Sequence, residues 1–151
     1  MRRRWRAFRE LSANDRRFTI LATLGLPFVQ LGLEGLGAKR LIRWLERTLP
    51  PAGAPLGEEP ELVAGARRAE SLIGSVARGG LVRVTCLRQA IALWWLLRRR
   101  RIACEIKLGV RRADDKVLAH AWVESGPIRL GAMPDAGEPF EAFDAAFSDV
   151  A

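Results

Sequence analysis

The chain has 151 residues, a net charge of +8 and 49% hydrophobic residues, which suits one compact domain with a real core. Two cysteines and one histidine rule out a disulfide framework, a CxxC metal pair and a His-rich metal centre. The basic excess, almost all arginine, favours acidic partners: an acidic peptide, a nucleic acid or an anionic membrane.

The N-terminus is basic, but Arg6, Arg9, Glu10, Asp15, Arg16 and Arg17 come before any apolar stretch. That is a poor signal peptide. A cytoplasmic chain with reduced thiols is expected. Residues 12–48 read as helical, with Ser12 or Asn14 as cap and Ile20, Leu21, Leu24, Phe28, Leu31 and Leu36 at helical spacing. Pro27 is expected to kink or divide the segment. The stretch 18–37 holds Pro27, Gln30 and Glu34, so its apolar runs fall short of the roughly 20 residues of a membrane span. It reads as a buried or interfacial helix. Leu41, Ile42, Trp44, Leu45 and Leu49 form a second amphipathic piece, with Lys39, Arg40, Arg43 and Arg47 between them.

Four prolines and two glycines between Pro50 and Pro60 mark a linker or exposed loop. The expected organisation is an N-terminal helical segment at 1–50, a linker at 51–60 and a core at 61–151. Residues 61–77 return to helix, with Leu62, Ala66, Ala69, Ile73 and Val76 as the apolar stripe and Gly79-Gly80 as the stop. Thr85 can cap a helix from Cys86 to about Arg100, whose last turn gathers Arg98 to Arg101, where cations suit the helix dipole. Cys104, Ile106, Leu108 and Val110 alternate with polar or small residues, which predicts a strand. Asp114-Asp115 marks a turn, 117–124 a second strand and 127–130 a third, with Ser125-Gly126 as the hairpin turn. The tail, with Pro134, Gly137 and Pro139, reads as loop, docked by Phe140, Phe143 and Phe147.

Chemistry concentrates on Cys86 and His120. A thiolate is stabilised at a helix N-terminus, where free backbone N–H groups also suit an oxyanion. An unmodified cysteine is just as often a small buried residue. Alternation places Leu118, His120, Trp122 and Glu124 on one face of their strand and Val117, Ala119, Ala121 and Val123 on the other. A lone histidine is commonly a satisfied core residue. A cysteine at a helix start, followed by a histidine on a later strand, is nevertheless the order of papain-like enzymes, and such a base needs a third group to orient its ring.

Four blocks in order carry a resemblance: Thr85-Cys86-Leu87-Arg88-Gln89-Ala90, Leu93 to Ile102, Ile106 to Arg111, and Ala119-His120-Ala121-Trp122-Val123-Glu124. They cover about residues 81–131, and the segment from Leu11 to Arg17 is similar as well. The chain resembles the discrete transglutaminase-like leader peptidases of lasso peptide biosynthesis. The resemblance implies an α+β fold: a transglutaminase-like, papain-like core in which a helix bearing the cysteine precedes an antiparallel sheet bearing the histidine. It also implies a cysteine protease with a Cys-His-Asp triad that needs no metal or organic cofactor. Such an enzyme cuts the leader from a precursor peptide. A separate small leader-recognition protein, the RiPP recognition element, delivers the leader, and an ATP-dependent lasso cyclase closes the macrolactam on the new amino terminus. With no strand-rich domain evident ahead of the core, this chain is expected to meet its recognition partner in trans.

The sequence departs from the family at the acid. Many members carry an aspartate about a dozen residues after the histidine, where this chain has Gly131, Ala132 and Met133. Asp135 is the nearest candidate for the third triad position, and a backbone carbonyl or another side chain is the alternative. Trp122 is expected to pack near the site, Glu124 to be an ion-pair partner and Cys104 to be core. Gln89 is a weak candidate for an oxyanion donor, since helix geometry more naturally points it away. The arginine run at 98–101 suits a solvated helix end or a docking point for an acidic leader. Two other readings stand beside the peptidase: an acyltransferase with an amine acceptor, and a basic non-enzymatic module for nucleic acid or membrane. The scattered arginines and the absence of a nucleic-acid motif argue against the last.

Overall fold

The computed structural model describes residues 13–57, 59–79, 85–113, 116–131 and 140–143. Three helices, α1 (Ala13–Thr48), α2 (Pro60–Gly79) and α3 (Cys86–Arg99), precede an antiparallel sheet of β1 (Glu105–Ala113), β2 (Lys116–Ser125), β3 (Ile128–Leu130) and β4 (Glu141–Ala142). The strand order is β3-β2-β1-β4. This is the α+β arrangement expected from the sequence.

The helical backbone of α1 breaks at Gly37 (φ 75°, ψ 164°), not at Pro27. A backbone with that φ is open to glycine and costly for residues with a Cβ. The break folds the chain back. Phe28 and Trp44 lie with ring centroids 5.7 Å apart, whereas sixteen residues of straight helix would separate them by about 24 Å. By length and composition, one described helical stretch, Thr19–Thr48, is apolar enough to cross a membrane. The return at Gly37 makes it a hairpin of two shorter arms instead of one straight rod. Leu24, Phe28 and Trp44 remain exposed on its outer side and line a shallow apolar hollow with Trp95.

The inner side of α1 contributes Ala22, Leu26, Val29, Leu41, Ile42 and Leu45 to one core with Ala66, Ala69 and Ile73 of α2 and with α3. Leu62, expected in the α2 stripe, is exposed, because the first turn of α2 reaches past that core. Pro60 suits the first helical position, where its missing N–H costs nothing. Helix α3 is the centre of the molecule. Residues 90–94, Leu96 and Leu97 are all buried, each large one contributing about 1.5–3 kcal/mol of apolar transfer free energy.

The end of α3 is a Schellman motif. The N–H of Ile102 donates to Leu97 O at 3.2 Å and that of Arg101 to Arg98 O at 2.9 Å. Arg101 takes the left-handed conformation there, at φ 62°. The Pro/Gly-rich stretch at 51–60 is tied down rather than free. Gly53 N–H donates to Arg101 O at 2.7 Å, Pro55 bridges Ala103, and buried Leu56 donates its N–H to Ser125 Oγ at 2.8 Å. Ser125 itself is the last residue of β2 and pairs with Ile128. The hairpin turn is therefore Gly126-Pro127, one position later than expected. Buried Ser125 stays in the strand because its hydroxyl also donates to Ala103 O at 2.6 Å. The expected turn at Asp114-Asp115 lies outside the described residues, as does Phe147.

Ala121 and Val123 pack into the helical core, whereas His120 and Trp122 stack outside it on the second face of β2, His120 also bordering the cleft lined by α2 and α3. That second face is closed by the 140–143 segment. Gly109 lies between Trp122 and β4, so a Cβ there would stand 2.6 Å from both Trp122 Cη2 and Glu141 O. The tail expected to be loop thus supplies a short fourth strand, and Phe140 docks as expected, 5.1 Å from the His120 ring. Phe143 is exposed.

Candidate active site

Cys86 is the first residue of α3. Thr85 occupies the cap position with extended backbone (φ −76°, ψ 162°), and its carbonyl accepts the Gln89 N–H at 3.1 Å. Its hydroxyl makes no cap bond, contrary to expectation. The side chain is exposed, so water competes for it. The Cys86 and Leu87 N–H groups, in the first turn, have no intrahelical acceptor by geometry. A half-buried thiol at the positive end of a helix dipole, beside such donors, is suited to nucleophilic attack and oxyanion binding.

His120 is buried in the middle of β2, opposite Gly109 of β1. Cys86 and His120 line one cleft of about 670 Å³, whose other walls include Arg67, Glu70 and Arg78 of α2, Gln89 of α3 and Gly131. Gln89 faces the cleft, not away from it. Residues three apart on a helix share a face, so Cys86 carries Gln89 with it.

The His120 ring is fixed on several sides. It stacks on Trp122 at 6.2 Å between centroids and meets Phe140 on another side. Arg111 lies over the same Phe140 ring at 4.8 Å. Nε2 stands 2.7 Å from Gly131 O. A carbonyl only accepts, so Nε2 carries the hydrogen and, in the neutral ring, Nδ1 keeps the lone pair. A neutral ring held in that tautomer is ready to take a proton through Nδ1.

Gly131 is held in turn. Its φ is 76°, and its N–H donates to Glu70 Oε1 at 2.6 Å. The other Glu70 oxygen pairs with Arg67 at 3.3 Å. Neither Glu70 nor Gly131 was expected at the site. The signal for Glu70 was there: it is one turn beyond Ala66 and three residues before Ile73, so it borders the buried stripe of α2. Asp135 lies outside the described residues.

Trp122 and Glu124 are support. The Trp122 indole donates to Glu124 Oε1 at 2.7 Å, and Arg129 Nε meets the same oxygen at 3.0 Å while stacking 5.0 Å from the indole. Cys104 is packed against the core and its thiol is directed to Trp94 O at 3.9 Å. Burial pushes that thiol up from 9.0 to about 12, Arg98 opposing and Glu105 adding. A thiol so placed is a poor nucleophile. Among the described residues no group of three His, Cys, Asp or Glu side chains is placed to hold a metal ion.

A family model described as the transglutaminase-like superfamily matches residues 32–143. Comparison with curated proteins and with solved structures gave no significant match.

Proposed function

The chain belongs to the transglutaminase-like superfamily, a group of cysteine-dependent enzymes that includes peptidases and acyltransferases, and from that premise we propose that it is a cysteine peptidase that removes the leader from a lasso precursor peptide. The observation that carries the reading is the shared cleft of Cys86 and His120, with Nε2 held by Gly131 O so that the lone pair of the neutral ring is on Nδ1. The order of the four sequence blocks supports the choice of substrate.

In this mechanism Cys86 Sγ gives its proton to His120 Nδ1 and attacks the carbonyl at the leader–core junction. The oxyanion is met by the Cys86 N–H, with the Gln89 amide at the same cleft as a second donor. His120 then protonates the leaving amine, which becomes the amino terminus of the core. Water activated by His120 hydrolyses the thioester and releases the leader. Asp135 is the sequence's candidate for the third member of the triad. The partners in this reading are the precursor leader, a separate small recognition protein and an ATP-dependent lasso cyclase that uses the freed amine. The setting is cytoplasmic.

The test combines the purified chain with a precursor peptide and a leader-recognition protein from its own gene neighbourhood, read by mass spectrometry. Leader and core as separate products, absent with Cys86→Ala, support the reading. A leader joined to an added amine in place of a free carboxylate would move the activity to acyl transfer, and no reaction with any neighbouring precursor would sink it.

A further inference from the structure

We infer that Glu70 is the carboxylate that positions His120, acting through the main chain of Gly131 and without touching the ring. The inference rests on the Cys86–His120 reading above and adds a residue to it. Three contacts form a chain. Glu70 Oε1 accepts the Gly131 N–H at 2.6 Å, Gly131 O accepts the His120 Nε2 hydrogen at 2.7 Å, and both oxygens of Glu70 are engaged because Arg67 takes the other at 3.3 Å.

The physical need is specific. Gly131 follows the three-residue strand β3 and has φ 76°, so the sheet ladder does not by itself fix its carbonyl. A glycine has more backbone freedom than any other residue. A carboxylate accepting a main-chain N–H is among the stronger hydrogen bonds available, and it comes here from α2, which packs on the same core as the helix bearing Cys86. Glu70 thereby ties the orienting carbonyl to the frame that holds the nucleophile. A carboxylate on another element, working through one residue of main chain, fills the orienting role. Glu70 is a positioning residue and takes no part in proton transfer.

The experiment uses the single histidine of the chain. With ¹⁵N-labelled histidine, one pair of ring signals reports which nitrogen carries the hydrogen. The wild-type chain is expected to show the Nε2–H tautomer. Glu70→Gln keeps an acceptor oxygen and should keep that signature. Glu70→Ala and the space-filling Glu70→Leu remove the acceptor and should give mixed tautomers. In parallel, iodoacetamide alkylation of Cys86 at neutral pH should slow about tenfold in Glu70→Ala and Glu70→Leu, within the hundredfold that a misplaced group can cost, and recover to within about threefold in Glu70→Gln. A merely structural glutamate would alter melting temperature without moving the tautomer signature. Wild-type tautomer and alkylation rate in both Glu70→Ala and Glu70→Leu would overturn the inference, as would a Glu70→Gln chain that behaves like Glu70→Leu. His120→Ala separates the two failures. If it leaves alkylation unchanged, the Cys86–His120 reading fails; if it slows alkylation while Glu70→Leu does not, only the role of Glu70 fails.

Discussion

Gly131 O lies 2.7 Å from His120 Nε2, so the ring nitrogen that a triad acid would normally hold is already engaged by the main chain. The arrangement differs from a side-chain triad in what must be preserved. A side-chain acid is lost with one substitution, whereas a carbonyl survives any side-chain change and is lost only when its backbone moves. Two of the predictions below, for Asp135 and Gly131, turn on that difference.

Cys86→Ala and His120→Ala should each lower leader cleavage by about ten-thousand-fold or more, the scale of losing a member of a nucleophile–base pair, with far-UV circular dichroism unchanged. Single-turnover cleavage assays check both. Full turnover by either variant removes that residue from the proposed chemistry.

Asp135→Asn should retain cleavage within about threefold of wild type. The Nε2 hydrogen has its acceptor in Gly131 O, and a second acceptor adds little to an orientation already fixed by Trp122 and Phe140. A loss approaching the ten-thousand-fold seen when an orienting acid is removed in the serine-protease example would assign the third position to Asp135.

Gly131→Ala should be destabilising by about 1–2 kcal/mol, the cost of a Cβ in the left-handed region. Among the described residues, the nearest atom to the added Cβ is Trp122 Cα at 3.8 Å, an ordinary contact. Relief of that strain by rotation of the backbone would turn the carbonyl away from Nε2. Denaturant unfolding checks the stability, and the loss of cleavage should exceed what the unfolded fraction explains.

Arg101→Gly should stabilise the chain by about 1 kcal/mol, because Arg101 closes α3 at φ 62° where glycine has no penalty. The site is far along α3 from Cys86, so cleavage per folded molecule should be unchanged. A fall in melting temperature would show that the arginine side chain offsets the strain.

Iodoacetamide at pH 8 should label Cys86 and leave Cys104 unmodified in the folded chain. Burial raises the Cys104 thiol to about 12, so it stays protonated throughout the neutral range. The sign for stability follows: between pH 9.0 and about 12 an unfolded Cys104 ionises and a folded one does not, so this thiol disfavours the folded state increasingly over that window and has no effect below it. Peptide mapping of the alkylated chain reads the selectivity.

Local rules in the sequence determined the helices, the first three strands and the face of β2 that His120 occupies, but not β4, which the tail forms only by pairing with β1. Apolar spacing of 3.6 and of two residues sets which side of an element is buried, and the cysteine at a helix start followed by a strand histidine set the candidate pair. The same rules located the break in α1 at Pro27, because proline is the stronger local signal. Packing chose Gly37, where the chain reverses and brings Phe28 against Trp44. The turn after β2 slipped one residue because Ser125 is claimed by Leu56 and Ala103, contacts 69 and 22 residues away. A backbone carbonyl stood among the orienters open to the sequence, but which carbonyl holds His120, and what holds that carbonyl, lay beyond any local reading. Glu70 and Gly131 are 61 residues apart, and nothing in the neighbourhood of either announces the other. Spacing along the chain reveals which face a side chain shares, but a hydrogen bond between two elements exists only once their packing has set the distance.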